Sequence, residues 1–281
     1  MKRKKQKSAF INAIKNIYVL VFAVVLIATT VIISNMISTY RLRHSYNGLS
    51  EERGYPVSDY NAEDFYRDEY NFLNYNDPRY DCLRGIDVSE YQSEIDWQAA
   101  KESGVQFAVI RLGFSSYDDG SLHLDKYFEE NIQGAKRAGL RVGVYFFSQA
   151  INTDEAIEEA SFVLKNISGK GIDMPVAFDM EEVTESDDRI KDLTMLQKTE
   201  IADAFCTIIK NNGYNPVIYG NPSWIYESYN LSLLSQHSLW LAHYTDMTGF
   251  PYEYIMWQYS STGNVGGVGT PCDLDIYFEK R

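Results

Sequence analysis

FAVIRLGFSSYDDGSLHLDKYFEENIQGAKRAGLRVGVYFF, residues 107–147, reads as strand, helix and strand in turn. Phe107–Arg111 is a short apolar run closed by an arginine. Tyr127–Ala138 carries its apolar residues at helical spacing, with Gly139 where a left-handed cap would end it, and Arg141–Phe147 is a second apolar run. Short apolar runs joined by an amphipathic helix predict parallel strands with a helical crossover. The pattern extends both ways: further strands read at Leu83–Val88, Met174–Asp179, Pro216–Tyr219, Ser238–Ala242, Tyr254–Gln258 and Leu274–Ile276, and further helices at Asp96–Ser103, Thr153–Ile167 and Met195–Asn212, the last ended by Gly213. Helices thin out after Gly220. The predicted fold class is therefore α/β, an irregular (β/α) TIM-like barrel with fewer helices in its C-terminal part. A doubly wound open sheet is the alternative, but no GxGxxG or phosphate-binding loop follows any strand.

Upstream the chain changes character. Between Lys15 and Arg41 there is no charged residue, and Tyr18–Ile33 is almost unbroken Val, Leu, Ile, Ala and Phe, about what a bilayer core requires. This exceeds the core of a cleaved signal peptide, and no convincing small-x-small cleavage site follows. Six basic residues, from Lys2 to Lys15, precede it, so the positive-inside rule puts the N-terminus in the cytoplasm. The expected organisation is a basic cytoplasmic N-terminus (1–16), a single-pass signal-anchor helix (17–40), an extracytoplasmic stalk or wrapping extension (41–80), and a catalytic domain (81–281) outside a bacterial cell membrane.

The net charge is −13, but residues 1–50 hold eight Lys/Arg and no Asp/Glu, leaving −21 beyond them. So acidic a body excludes nucleic acid as the main partner, and predicts short-range recognition with repulsion from anionic lipid and wall polymers. Cys82, Cys206 and Cys272 are too few for a disulfide framework and none forms a CxxC pair, so no metal or other cofactor is expected. Cys206 reads as a buried apolar thiol in a helix, while Cys82 and Cys272 flank segments of one barrel and leave a bridge open. His123, His237 and His243 lack a convincing Ser or Cys partner for a nucleophilic triad.

Barrel active sites lie at the C-terminal ends of the strands. Here those ends carry carboxylates: Asp87 in Gly85-Ile86-Asp87-Val88, Asp179 and Glu181 after Val176-Ala177-Phe178, and Asp273 in Pro271-Cys272-Asp273. Asp179 and Glu181, two apart, leave the same face of an extended chain and can work as a pair. Glycosidic cleavage needs an acid that protonates the departing oxygen and a second group that supports the anomeric carbon. Clustered carboxylates help, because each negative neighbour raises the pKa of the next. Asp-x-Glu alone fits a solvated pair or a cation site equally well; the other two strand-end carboxylates favour glycosidase chemistry.

The motifs Gly85-Ile86-Asp87-Val88-Ser89-x-x-Gln92, Phe107–Arg111, Gly143-Val144-Tyr145-Phe146-Phe147, Phe178-Asp179-Met180-Glu181 and Trp257-Gln258-Tyr259-Ser260, followed by Gly266 and Asp273, together resemble the family 25 glycoside hydrolases over about Arg84 to Phe278. The resemblance implies a lysozyme (muramidase) that cleaves the β-1,4 bond between N-acetylmuramic acid and N-acetylglucosamine in peptidoglycan for wall remodelling. It makes Glu181 the acid, with Asp87, Asp179 and Asp273 around the cleaved sugar. Substrate-assisted and direct water attack both stay open; no second Glu matches a displaced nucleophile. The family often has a small residue after Tyr-x-Phe, where Phe147-Ser148-Gln149 stands here. Chitin-type polymers satisfy the same chemistry, and a silent wall-binding scaffold is the alternative outside catalysis.

Sugar faces stack on aromatics, so Tyr145, Phe147, Tyr219, Trp240, Tyr244 and Tyr259 near strand ends are candidate substrate contacts, with ordinary barrel packing as the other reading. Gln258 could bond an acetamido or hydroxyl group. Arg111 closes its strand and either pairs with a cleft carboxylate or touches substrate; the ion pair is the favoured reading.

Overall fold

The central wall strands are buried on both faces almost throughout, as strands of a covered barrel must be. The computed structural model describes residues 54–182 and 189–281. After a small antiparallel ribbon, β1 (Phe65–Arg67) and β2 (Leu73–Tyr75), the wall strands are β3 (Tyr80–Val88), β4 (Phe107–Ser115), β6 (Arg141–Phe147), β7 (Val176–Asp179), β8 (Pro216–Gly220), β9 (Ser238–Ala242), β10 (Met256–Gly263) and β11 (Cys272–Lys280). Neighbours run β3-β11-β10-β9-β8-β7-β6-β4, and a parallel β3–β4 pairing, Gly85 opposite Phe107, shuts the barrel at eight strands. β5 (Leu122–Leu124) stays outside as a hairpin on β4. The predicted irregular barrel is thus observed, and the doubly wound sheet is not.

The expected helices fall close to their predicted places: α1 Trp97–Glu102, capped by Asp96, α2 Phe128–Arg137, α3 Thr153–Ile167 and α4 Met195–Asn211. Gly139 and Gly213 take φ of 75° and 85°, the left-handed turn that stops α2 and α4. A fifth, α5 (Pro222–Ser228), begins on the Asn221 cap with Pro222 in its first turn. The last strand differs from its fellows. Residues 264–271 are too short for a helical crossover, so β11 returns antiparallel to both β10 and β3.

Two apolar clusters separate inside from outside. Phe107, Val109, Ala177, Val217, Trp240 and Met256 fill the barrel, while the opposite faces of the strands pack outward. On the β4–β8 side those outward faces meet helices: Phe178 on β7 lies 5.1 Å, centroid to centroid, from Phe205 on α4. Around β9–β11 the cover is residues 54–79. Tyr60 stacks 4.4 Å from Phe278 and 4.9 Å from Tyr254, and Phe65 meets Trp257 edge-on at 5.3 Å. Backbone bonds stitch the segment down at both ends of the wall: Ser58 N–H to the Pro251 carbonyl (2.7 Å) below, and Leu73 N–H to the Tyr259 hydroxyl (3.1 Å) above.

Among the described residues no helix is long and apolar enough to cross a membrane; the expected N-terminal segment 1–16 and anchor 17–40 lie outside them. The Cys82–Cys272 bridge left open by the sequence does not form. In the β3–β11 register Cys82 faces Phe278, six residues from Cys272 along an extended strand, roughly 20 Å and far beyond disulfide reach.

Candidate active site

At the C-terminal mouth of the barrel is a cleft of about 310 Å³, lined among others by Asp87, Asp179, Glu181 and Asp273. The fold brings these four together from three strands. Asp87 and Asp273 stand directly opposite each other on β3 and β11, and Asp179 ends β7, with Glu181 two residues on. Asp87 and Asp179 are buried; Asp273 and Glu181 are partly exposed.

Burial and crowding raise every carboxyl in this group. Burial dominates at Glu181, with the charge of Asp273 adding to it and a hydrogen bond from the Asp179 carboxyl opposing it. Asp179 is pushed well above the carboxylate range by burial and then by the Glu181 charge, against a smaller pull from Arg111. The two carboxyls, two residues apart at the end of β7, sense each other directly, Glu181 raising the hold of Asp179 on a proton. Asp273 rises to about 6, mainly through burial. Asp87 is raised well above its usual range by burial and by Asp275 and Asp273. A carboxyl whose pKa is raised in this way holds its proton to higher pH than a free one and can deliver it to a leaving oxygen.

The remaining predicted residues divide. Tyr145, Phe147, Tyr219, Trp240, Tyr244, Gln258 and Arg111 line the cleft. Gln258 ties several together: its Nε2 donates to Asp87 Oδ2 (2.7 Å), and its Oε1 accepts from the hydroxyls of Tyr219 (2.9 Å) and Tyr244 (3.1 Å). Trp240 also packs edge-to-face against both Tyr145 and Tyr219, so cleft wall and barrel core are the same side chains. Arg111 makes the favoured ion pairs, to Asp125 (2.7 Å) and to Glu90 (2.8 Å) on the cleft lining.

Tyr259 corrects the prediction. It is buried on the outer face of β10, receives the Leu73 N–H and lies under Arg67, 5.2 Å from its ring. With Met256 and Gln258 pointing in, period two sends Trp257 and Tyr259 out. Glu90, Tyr91, Phe114 and Tyr117 line the cleft without having been singled out. Tyr91 and Phe114 flank the Arg111 guanidinium at 5.2 and 5.4 Å. A guanidinium expected in an ion pair was the available clue to aromatic neighbours. Ser121 and His123 do meet, at 2.9 Å, but on the exposed hairpin outside the cleft lining.

An irregular strand-helix barrel with an acidic cleft at the carboxyl ends of its strands is the class that fold and site define. Within it, the chain belongs to the glycosyl hydrolases family 25, whose profile matches residues 86–268. It is 30% identical to Lysozyme M1 of Streptomyces globisporus over 206 residues, 69% of this chain and 67% of that one. With the autolytic lysozyme of Clostridium acetobutylicum it shares 29% identity over 199 residues, 70% of this chain but only 56% of the relative. The crystal structure of a bacterial lysozyme from Streptomyces coelicolor superposes with a TM-score of 0.57 at 27% identity, covering 69% of this chain and 91% of that one. The profile stops short of Asp273 and begins after residues 54–79, so the aromatic cover lies outside it.

Proposed function

We propose that this protein is a lysozyme-type hydrolase of the β-1,4 bonds between N-acetylmuramic acid and N-acetylglucosamine in peptidoglycan, with Glu181 as the acid. The observation that carries the reading is the meeting of Asp87, Asp179, Glu181 and Asp273 in one cleft at the strand ends, with Asp179 and Glu181 two residues apart. Its raised pKa keeps Glu181 able to protonate the leaving oxygen. As it gives up that proton, Asp179 and Asp273 stay behind as negative or hydrogen-bonding groups that support positive charge at the anomeric carbon. Tyr145, Phe147, Tyr219, Trp240 and Tyr244 offer ring faces to the sugars, and Gln258 and Arg111 offer polar contacts.

Residues 17–40 act as a single-pass anchor that holds the domain on the outer face of a bacterial membrane, the assignment resting on their uncharged length and the basic residues before them. Peptidoglycan strands are then the partner within reach, and nucleic acid is not one.

The test is release of reducing sugar from peptidoglycan by the full-length chain. Glu181→Gln lowers kcat by about 10²–10⁴-fold, the range for loss of a general acid, without changing the melting temperature by more than a few degrees. Unchanged turnover sinks the acid assignment. The anchor is checked by fractionation: the chain stays with membranes through an alkaline wash, and its barrel is cut by protease added to intact spheroplasts.

A further inference from the structure

Asp275 has no part in the reaction derived above, yet it sits fully buried directly beneath the cleft, two residues along β11 from Asp273. Its Oδ1 accepts the indole N–H of Trp240 at 2.9 Å, and its Oδ2 is buried with no N–H or hydroxyl donor on it among the described residues. The carboxyl nearest in the register is that of Asp87: Asp273 stands directly opposite it and Asp275 opposite Gly85, so Asp275 and Asp87 are diagonal neighbours on one face of the β3–β11 pair, within hydrogen-bonding reach. On the far side Asp87 Oδ2 is fixed by Gln258, and Gln258 by Tyr219 and Tyr244. A continuous run of polar groups in hydrogen-bonding reach thus leads from the buried indole, through two carboxyls and an amide, to a tyrosine on the cleft rim.

Two carboxyls can bond to each other only if one of them carries a proton. Trp240 occupies one oxygen of Asp275 and Gln258 one oxygen of Asp87, which leaves one oxygen on each carboxyl for the other. We propose that Asp275 is a positioning residue that holds Asp87 through a shared proton and so sets the orientation and charge of the carboxylate facing the sugar. This rests on the glycosidase reading of the cleft.

With its proton the pair carries one negative charge; without it, two charges in contact repel and Asp87 is free to turn away. Burial foremost, and the Asp273 charge, push Asp275 up to about 8. The titratable groups that sense this carboxyl are Asp87 from β3, Asp273 and Cys272 from its own strand, and Tyr259 from β10. Asp87 further senses Asp273 and is sensed by Tyr145, Tyr219 and Tyr244. The proton leaves as pH rises, so the pair fails on the alkaline side.

Asp275→Asn is the informative change, because its carbonyl can still accept from Trp240 while its amide gives Asp87 an N–H that never titrates. In the full-length chain, the alkaline limb of log kcat/KM falls with a slope near 2 when Glu181 and the pair both must hold protons, and near 1 in Asp275→Asn. Asp275→Leu, with neither donor nor acceptor, lowers kcat by about a hundredfold and leaves KM within about threefold. A readout independent of turnover is the ¹³C spectrum of the aspartate carboxyls: a coupled titration near pH 8 in the parent, absent in Asp275→Asn. The inference is overturned if Asp275→Asn keeps both the parental titration and the parental limb. Should the leucine variant not fold, the asparagine variant decides alone. A parent that shows the coupled titration but no hydrolysis upholds the shared proton and refutes the glycosidase reading instead.

Discussion

The two sides of this barrel are covered with different material. Strands β4 to β8 are backed by amphipathic helices, with Phe178 against Phe205 as the typical contact. Strands β9 to β11 are backed by a segment without α-helix drawn from upstream of the barrel, with Tyr60, Phe65 and Tyr75 against Tyr254, Trp257 and Phe278. The requirement common to both is removal of the strands' outward apolar face from water; helical geometry is only one way to meet it. Aromatics suit the irregular cover because each ring buries a large area while pinning few backbone residues.

The sharpest way to break this equivalence is to cut one ring from each side. Phe205→Ala and Phe278→Ala remove rings that are 0% and 3% exposed, and each should cost about 3–5 kcal/mol in denaturant unfolding. A loss below about 1 kcal/mol for Phe278→Ala would mean that residues 54–79 decorate the barrel rather than complete it.

A smaller effect separates the sides by pH. Glu159 on α3 is fully buried against Ser115, whose hydroxyl lies 2.6 Å away, and burial raises it to about 7. Because the folded carboxyl holds its proton more tightly than the unfolded one, its contribution is fully present below about pH 4.5 and is lost as pH rises toward 7. The shift corresponds to about 3 kcal/mol. Glu159→Gln should flatten that part of the stability profile; an unaltered pH dependence in the variant would remove Glu159 as its source.

Smallest is Arg67→Ala on the other side, which breaks an ion pair to Asp246 whose partner is 73% exposed. Stability should change by no more than about 1 kcal/mol. A larger drop would assign to charge the hold here attributed to aromatic packing.

Much of the helix-backed side was legible, because its strands and helices each announce a period and are punctuated by Gly139 and Gly213. The extension was not. Phe65–Arg67 and Leu73–Tyr75 are too short to show a period, and their strand character comes from pairing with each other and lying on β10. The four carboxylates could be read from their places at strand ends. Asp275 lay in plain view two residues past Asp273, but its meaning depends on the antiparallel return of β11, which sets Asp273 opposite Asp87 and Asp275 diagonal to it. The outward place of Tyr259 was also legible, since neighbours on a strand point to opposite faces and Gln258 faces inward. The bridge between Cys82 and Cys272 failed on register, which no spacing in the chain reveals.

The route of residues 54–79 also sets a direction. Tyr55 bonds the His237 carbonyl and Val57 pairs with Tyr252, both at the barrel end where β9 and β10 begin, whereas Asp87 and Glu181 open at the other end. Tension applied through the chain ahead of Gly54 would therefore load the floor of the barrel, leaving the mouth to face away from the point of attachment, like a cup held by its base.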